Sequence, residues 1–304
     1  MNWFFIALIG PIFWSIGNHV DKTLLDGRVQ GLTIRSLMVV SSIIGVFVLP
    51  FILFFKPYVF NIPITNIFIL IIVGFLSASA IWLYFNALEH DEASVVVPFY
   101  QLIPVFGYIF GYIFLGEILR IDQIIAMILI IIGALIISIE IDSENKFKIK
   151  KRTPILMVFS ALLFSLDSVL FKFAAINEDF WISTFWEYFG LGLVGIILLT
   201  LCSRFRKETF EMIKVNKFNI FFVNILNETL TIFGNIATAF SYLLAPVSLV
   251  LLVNSYQPIF VFIIGIFMTI FFPKYLSEKI TIKHIVPKIL SILIMAVGTY
   301  LLFI

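Results

Sequence analysis

A single cysteine, Cys202, stands in 304 residues, so no disulfide can close within the chain and no cysteine cluster can bind a metal. Charge is also scarce. Asp, Glu, Lys and Arg make up 12% of the residues, about half the share usual in soluble domains. No glycine-rich phosphate loop, metal-ligand spacing or Ser/His/Asp arrangement occurs, which excludes ATP hydrolysis on this chain and gives no reason to expect a catalytic residue, a cofactor or a metal. The opening "MNWFFIALIGPIFWSIGNHVDK" lacks a basic n-region and a small-residue cleavage site, and so reads as a first membrane span rather than a removable signal.

Apolar surface is what the chain has in abundance. It is 62% hydrophobic with a mean hydropathy of +1.12, far outside the soluble range. A bilayer-crossing helix needs about 20 apolar residues. Charges and turn residues cut the chain into ten runs of that order: 3–24, 31–55, 64–88, 93–116, 120–140, 154–176, 181–203, 217–244, 246–272 and 281–303. Open strands cannot satisfy their backbone in lipid and barrel strands are only about ten residues long, so the runs are helices. The expectation is an all-α membrane protein with ten transmembrane helices and loops too short to hold a catalytic domain. The 36 phenylalanines are ordinary lipid-facing residues and do not indicate an aromatic substrate.

The 20 Lys and Arg residues divide unevenly. Seventeen lie in or beside the connections after runs 1, 3, 5, 7 and 9, including "KFKIKKR" and "RFRK", and only Lys56, Arg120 and Lys172 fall on the other side. By the positive-inside rule the basic face is cytoplasmic and both termini lie outside a plasma (cytoplasmic) membrane.

Landmarks recur between the halves. "FWSIGNHVDK" and "LFSLDSVLFK" match Ser15 with Ser165 and Lys22 with Lys172 at an offset of 150. "ASVVVPFYQLIPVF" lies over "VSLVLLVNSYQPIF" at an offset of 154, matching Ser94 with Ser248, Tyr100 with Asn254, Pro104 with Pro258 and Phe106 with Phe260. The organisation is a first repeat over 1–142, a basic linker over 143–153 and a second repeat over 154–304. Five spans per copy is an odd number, so the copies run in opposite senses: two inverted five-helix repeats. That arrangement is the signature of a transporter with its site near the midplane between the halves.

An alanine-leucine pair at Ala87 and Leu88, small residues at Ala93 and Ser94, the central Pro104, and Gly116 and Glu117 before the fifth span resemble the EamA-like domain of the drug/metabolite transporter superfamily. The second copy keeps Pro258 and has Glu278 displaced by an insertion including "FFPKY". The resemblance implies ten helices in two inverted repeats, a central cavity lined by spans 1 to 4 and 6 to 9, and export or exchange of small metabolites. It also implies the opposite orientation, since many members place both termini in the cytoplasm.

Ionisable groups deep in a span cost about 2.5 to 3.5 kcal/mol on insertion scales, so each requires a reason. Asp167 in run 6 and Glu228 in run 8 are candidates for proton coupling or cation binding. The structural alternatives are that Asp167 pairs with Lys172 and that Glu228 is hydrogen-bonded by Asn224, Asn227 or Asn235. Pro98, Pro104 and Pro258 kink their helices. Near them Gln101, Asn254 and Gln257 can serve either the backbone carbonyl that a proline leaves without a donor or a substrate. His19 and Asn18, one turn before the end of run 1, complete the candidate substrate-binding or coupling residues. Lys22 and Lys172 read as snorkelling to the interface. Glu187 reads as a structural or interfacial residue near a span end, and Glu117 as a helix-end residue fixing the connection to run 5.

The function expected is a secondary transporter of a small metabolite such as an amino acid or organic cation. It would be driven by an ion gradient, protons being the candidate, or run as facilitated diffusion or exchange. A flippase for a lipid-linked substrate is the alternative. An intramembrane enzyme would need a base with a positioned partner, and no such motif is present. The partners are a small-molecule substrate and membrane lipid, with no nucleic acid. A monomer is sufficient to enclose a pathway, and a homodimer is compatible with the sequence.

Overall fold

A computed structural model describes residues 2–25, 33–90, 96–140, 152–271 and 282–304. Ala93, Ser94, Glu278 and the linker up to residue 151 lie outside the described residues, as does the Lys22 side chain. Among the described residues the regular structure is entirely helical: α1 Asn2–Leu25, α2 Ile34–Ile44, α3 Val48–Phe55, α4 Ile64–His90, α5 Ile103–Leu115, α6 Ile121–Glu140, α7 Arg152–Ala175, α8 Phe180–Leu201, α9 Ser203–Tyr242, α10 Val247–Val253, α11 Gln257–Phe271 and α12 Ile282–Leu302. Short 3₁₀ turns, Gly45–Phe47, Val97–Leu102 and Asn254–Tyr256, join α2 to α3, lead into α5 and join α10 to α11. Among the described residues seven stretches are long and apolar enough to cross a membrane, and two shorter apolar helices, Ile121–Ile137 and Val286–Leu302, accompany them.

The helix ends follow local chemistry. Thr33 and Ser36 form a capping box at the start of α2, and Asp179 caps α8 by accepting the N–H groups of Trp181 and Ile182. Gly116, at a φ of 66°, stops α5 in the left-handed conformation that favours glycine. One boundary differs from the apolar pattern. α9 begins at Ser203, well before the apolar run at 217. Its first turns carry Arg204, Lys207, Glu208 and Glu211, paired as Arg204–Glu208 at 3.2 Å and Lys207–Glu211 at 3.9 Å, with Arg35 of α2 reaching Glu208 at 3.0 Å. Charged residues at i and i+4 stabilise a helix beyond the apolar slab, which a hydropathy pattern does not register.

The most extensive packing joins α6 with α12, α4 with α7, α1 with α9, and α4 with α8, followed by α5 with α7, α5 with α10, α2 with α8, α2 with α9 and α1 with α11. Small residues let these axes approach, as membrane helix interfaces require. A Cβ on Gly74 of α4 would stand 2.4 Å from the Glu187 carbonyl and the Leu191 nitrogen of α8, and one on Gly190 would stand 2.4 Å from the Ile71 carbonyl. The α4 and α8 backbones therefore touch, and this crossing fixes the turn of α8 that carries Glu187. The largest buried cluster, including Leu70, Val73, Phe171, Phe185, Trp186, Val250 and Leu251, lies where α4, α7, α8 and α10 meet.

Candidate functional site

α7 and α8 are joined by a tight reversal at residues 176–179. Asp167 lies eight residues before the end of α7 and Glu187 seven residues after the start of α8. At 1.5 Å per residue both carboxylates sit about 11 to 12 Å below the reversal, and Asp167 and Glu187 are close enough to interact electrostatically. One Asp167 carboxylate oxygen, Oδ1, is fully buried and has no hydrogen-bond partner among the described residues. Beside it, Ser168 and Tyr242 of α9 share a hydrogen bond of 3.0 Å. Tyr188, 4% exposed, has a buried hydroxyl with Asn235 as its side-chain neighbour, within electrostatic reach of Glu187, Glu228 and Asp167.

Glu228 belongs to the same interior but is held differently. It lies 14 residues before the end of α9, about 21 Å by helical rise, and its Oε1 accepts a hydrogen bond from Ser41 of α2. Nearer the reversal, Asn235 accepts the Trp14 indole N–H at 3.0 Å. Asp167, Glu187, Tyr188, Glu228 and Tyr242 thus form a polar core between α7, α8 and α9, with α1 and α2 alongside.

Five residues beyond Asp167 on α7, Lys172 does not snorkel. It is 8% exposed, and its ammonium donates to Glu117 at 2.6 Å and to the Ala245 carbonyl at 2.8 Å. The other Glu117 oxygen accepts the Val247 N–H at 2.8 Å. Glu117 therefore does more than end a helix, because it ties α7 and the start of α10 to the α5–α6 connection. The pairing of Asp167 with Lys172 weighed from sequence is not made.

The proline-flanked turns meet at the centre. Ser255 donates to the Gln101 side-chain oxygen at 2.6 Å, and Gln101 is 5% exposed. Pro104 and Pro258 have no N–H for the carbonyls of Tyr100 and Asn254. The 3₁₀ geometry supplies one instead, from Ile103 N–H and Gln257 N–H respectively. The backbone thus leaves the Gln101 side chain free to cross-link the two broken helices, while Pro98 sits within the first 3₁₀ turn. Ser165 donates to Ile103 O at 2.8 Å and Ser15 to Gln257 O at 3.1 Å, so each break also rests on a serine of a neighbouring helix.

The remaining candidates scatter. Asn254 has a buried Oδ1 with no hydrogen-bond partner among the described residues, whereas Gln257 is engaged through its backbone. The His19 Nε2–H donates to the Val261 carbonyl at 3.0 Å, and Asn18 is half-buried on α1. Glu187 reads from sequence as a structural or interfacial residue near a span end, whereas Tyr242, Ser168 and Ser41 are not singled out. For Glu187 a signal existed, since counting equal distances from the reversal puts it level with Asp167. The partnership of Glu117 with Lys172, 55 residues apart, has no local signal.

These apolar helices make the chain a multi-pass integral membrane protein. Residues 1–139 match the EamA-like transporter family, the family whose resemblance is carried by Ala87, Leu88, Pro104, Gly116 and Glu117. A solved structure named only "Crystal structure of protein" superposes on 100% of this chain and 98% of its own length with a TM-score of 0.70 at 11% identity, so the two share a fold. No curated protein matches the sequence.

Proposed function

We propose that the protein is a secondary transporter of a small metabolite working by alternating access between two inverted five-helix repeats, 1–142 and 154–304. Asp167 and Glu228 serve substrate binding or ion coupling, protons being the candidate ion, and both termini lie outside as the basic residues suggest. The observation that carries the reading is the pairing of helices. Exchanging α1 with α7, α2 with α8, α4 with α9, α5 with α10 and α11 together, and α6 with α12 returns the major pairings to one another. Thus α1–α9 becomes α7–α4, α5–α7 becomes α11–α1, and α6–α12 becomes itself. The hydrogen bond between Gln101 and Ser255, equivalent positions at the offset of 154, supports the same pseudo-twofold relation. Broken helices meeting at such an axis are where transporters of this design hold their cargo.

A flippase for a lipid-linked substrate is the second reading. An open groove of about 550 Å³ between α1, α11 and α12, lined by Phe4, Leu8, Ile259, Phe260, Met295 and Phe303 among others, favours it. Counterflow of a labelled metabolite panel in proteoliposomes, with and without an imposed pH gradient, separates the readings. Gradient-driven accumulation lost in Glu228→Gln supports proton coupling through that residue. Counterflow that persists in the variant and ignores the gradient makes the chain a facilitator or exchanger, and no flux of any soluble solute overturns transport in favour of lipid translocation.

A further inference from the structure

We infer that the open groove between α1, α11 and α12 seats one acyl chain of a resident membrane phospholipid, lying in a single leaflet with its methyl end against the second broken span. The inference needs only that the protein crosses a membrane, so it does not depend on the transporter reading. It also goes beyond the flippase reading, which treats the same groove as a path for cargo. α12 lines the groove with one stripe, Ile292, Met295, Ala296, Thr299, Tyr300 and Phe303, spaced three and four residues apart on one helix face. At the back, Phe4 of α1 meets Tyr256 and Phe303 edge-on, with ring centres 5.7 and 5.3 Å apart. The polar groups on the floor are spent within the protein. The Tyr256 and Thr299 hydroxyls bond to each other, and Thr299 donates on to the Met295 carbonyl at 2.7 Å. No charged side chain lines the groove among the described residues. A polar solute would find nothing to bind there.

The surroundings and the dimensions name the occupant. Phe5 of α1, Ile263 of α11 and Val297 of α12, at the rims, are each more than half exposed and stand in lipid. An unfilled groove forfeits the dispersion contacts of its lining, and the molecules that the bilayer brings to these rims are its own acyl chains. The groove holds about 550 Å³, more than three times the roughly 150 Å³ of an apolar cavity that takes up benzene. Ile292 lies at the middle of α12 and Phe303 just past its end. The stripe between them rises about 16 to 17 Å, close to half of the roughly 30 Å hydrocarbon core. The groove therefore covers one leaflet, and a chain seated in it is held rather than carried across. Its deep end is Tyr256, which belongs to the 3₁₀ turn whose Ser255 donates to Gln101, so the methyl end of the chain bears on the turn that joins α10 to α11.

The test uses the purified full chain in nanodiscs containing phosphatidylethanolamine with a photoreactive diazirine at the end of one acyl chain. Irradiation and peptide mapping should place several-fold more adducts on Tyr256, Ile259 and Met295 than on α3, whose Phe51 and Phe54 are open to lipid. With the diazirine moved next to the glycerol, labelling should shift to Phe303 and Ile304. Ala296→Trp plugs the groove and should cut its adducts several-fold while leaving those on α3 unchanged. If that variant does not run as a monodisperse peak, the smaller plug Ala296→Leu is read in its place. Groove labelling no stronger than that of α3, labelling that ignores the position of the diazirine, or labelling unchanged in the folded plugged variant overturns the site. Transfer of fluorescent phosphatidylethanolamine between the leaflets of proteoliposomes by wild type and not by the plugged variant overturns residence and makes the groove a path for cargo. An absence of metabolite counterflow removes the transporter reading and leaves the lipid site standing.

Discussion

Two charged places on one helix are treated in opposite ways. Lys172 of α7 has a carboxylate partner, a backbone carbonyl and almost no solvent, and its partner Glu117 accepts a backbone N–H as well. Asp167, little more than a turn away, lies within electrostatic reach of another acid and has one oxygen with no hydrogen bond among the described residues. A fold that can build the first arrangement has the means to neutralise a buried charge, so the second is where the proposed function predicts a role other than stability. An intramembrane acid left in this state is a functional-site hypothesis by default.

The sharpest way to break the comparison is to remove the compensation. Lys172→Met leaves Glu117 facing the apolar end of the bundle with only the Val247 N–H. Loss of one partner of a buried pair costs about 3 to 5 kcal/mol, and the apparent melting temperature of the purified protein should fall accordingly. Adding Glu117→Gln should recover part of that loss, since the stranded charge is then gone. No recovery in the double variant would mean that Lys172 acts through packing and its bond to Ala245 rather than through the ion pair.

A compensated charge at the rim should cost less. Asp179 caps α8 and holds Lys56 at 2.5 Å. Burial pushes its carboxyl up, but the Lys56 ammonium and the N–H groups of Trp181 and Ile182 together outweigh this and hold it below its ordinary range. A carboxyl depressed in the folded state contributes stability at pH values above its unfolded pKa of about 3.9 and loses it as pH falls through the folded value. Asp179→Ala should therefore lower stability by about 1 kcal/mol near neutrality. The difference from wild type should shrink once the pH drops below about 4, and thermal melts across pH 3 to 7 would show it. A difference that stays constant across that range would assign the effect to packing.

Legibility followed sequence distance. Helices were readable because lipid leaves the backbone no alternative, and the landmarks Pro104 and Pro258 announced both broken spans. The reason those breaks are tolerated was not readable. It lies in Ile103 and Gln257 N–H groups taking over orphaned carbonyls and in Ser255 meeting Gln101. Asp167 and Glu228 stood out singly as acids in apolar runs, yet which acid faces which depends on helix rotation, and the glycine crossing of α4 on α8 sets that rotation for Glu187. Lys172 looked like a residue reaching for the interface because its partner is on another helix connection. The start of α9 was missed because charged i,i+4 pairs carry its first turns rather than apolar residues.

The smallest expected effect is the one that decides what Asp167 is for. Asp167→Asn replaces a carboxylate by an amide of the same shape and relieves the burial of a second acid beside Glu187. Its melting temperature should stay within about 1 kcal/mol equivalent of wild type, or rise, since substitutions away from satisfied networks change stability little. Read beside Lys172→Met on the same helix, such a result would separate a charge retained for use from a charge retained for stability. A loss as large as that of Lys172→Met would instead make Asp167 a structural acid with a partner it needs, and the contrast between the two ends of α7 would vanish.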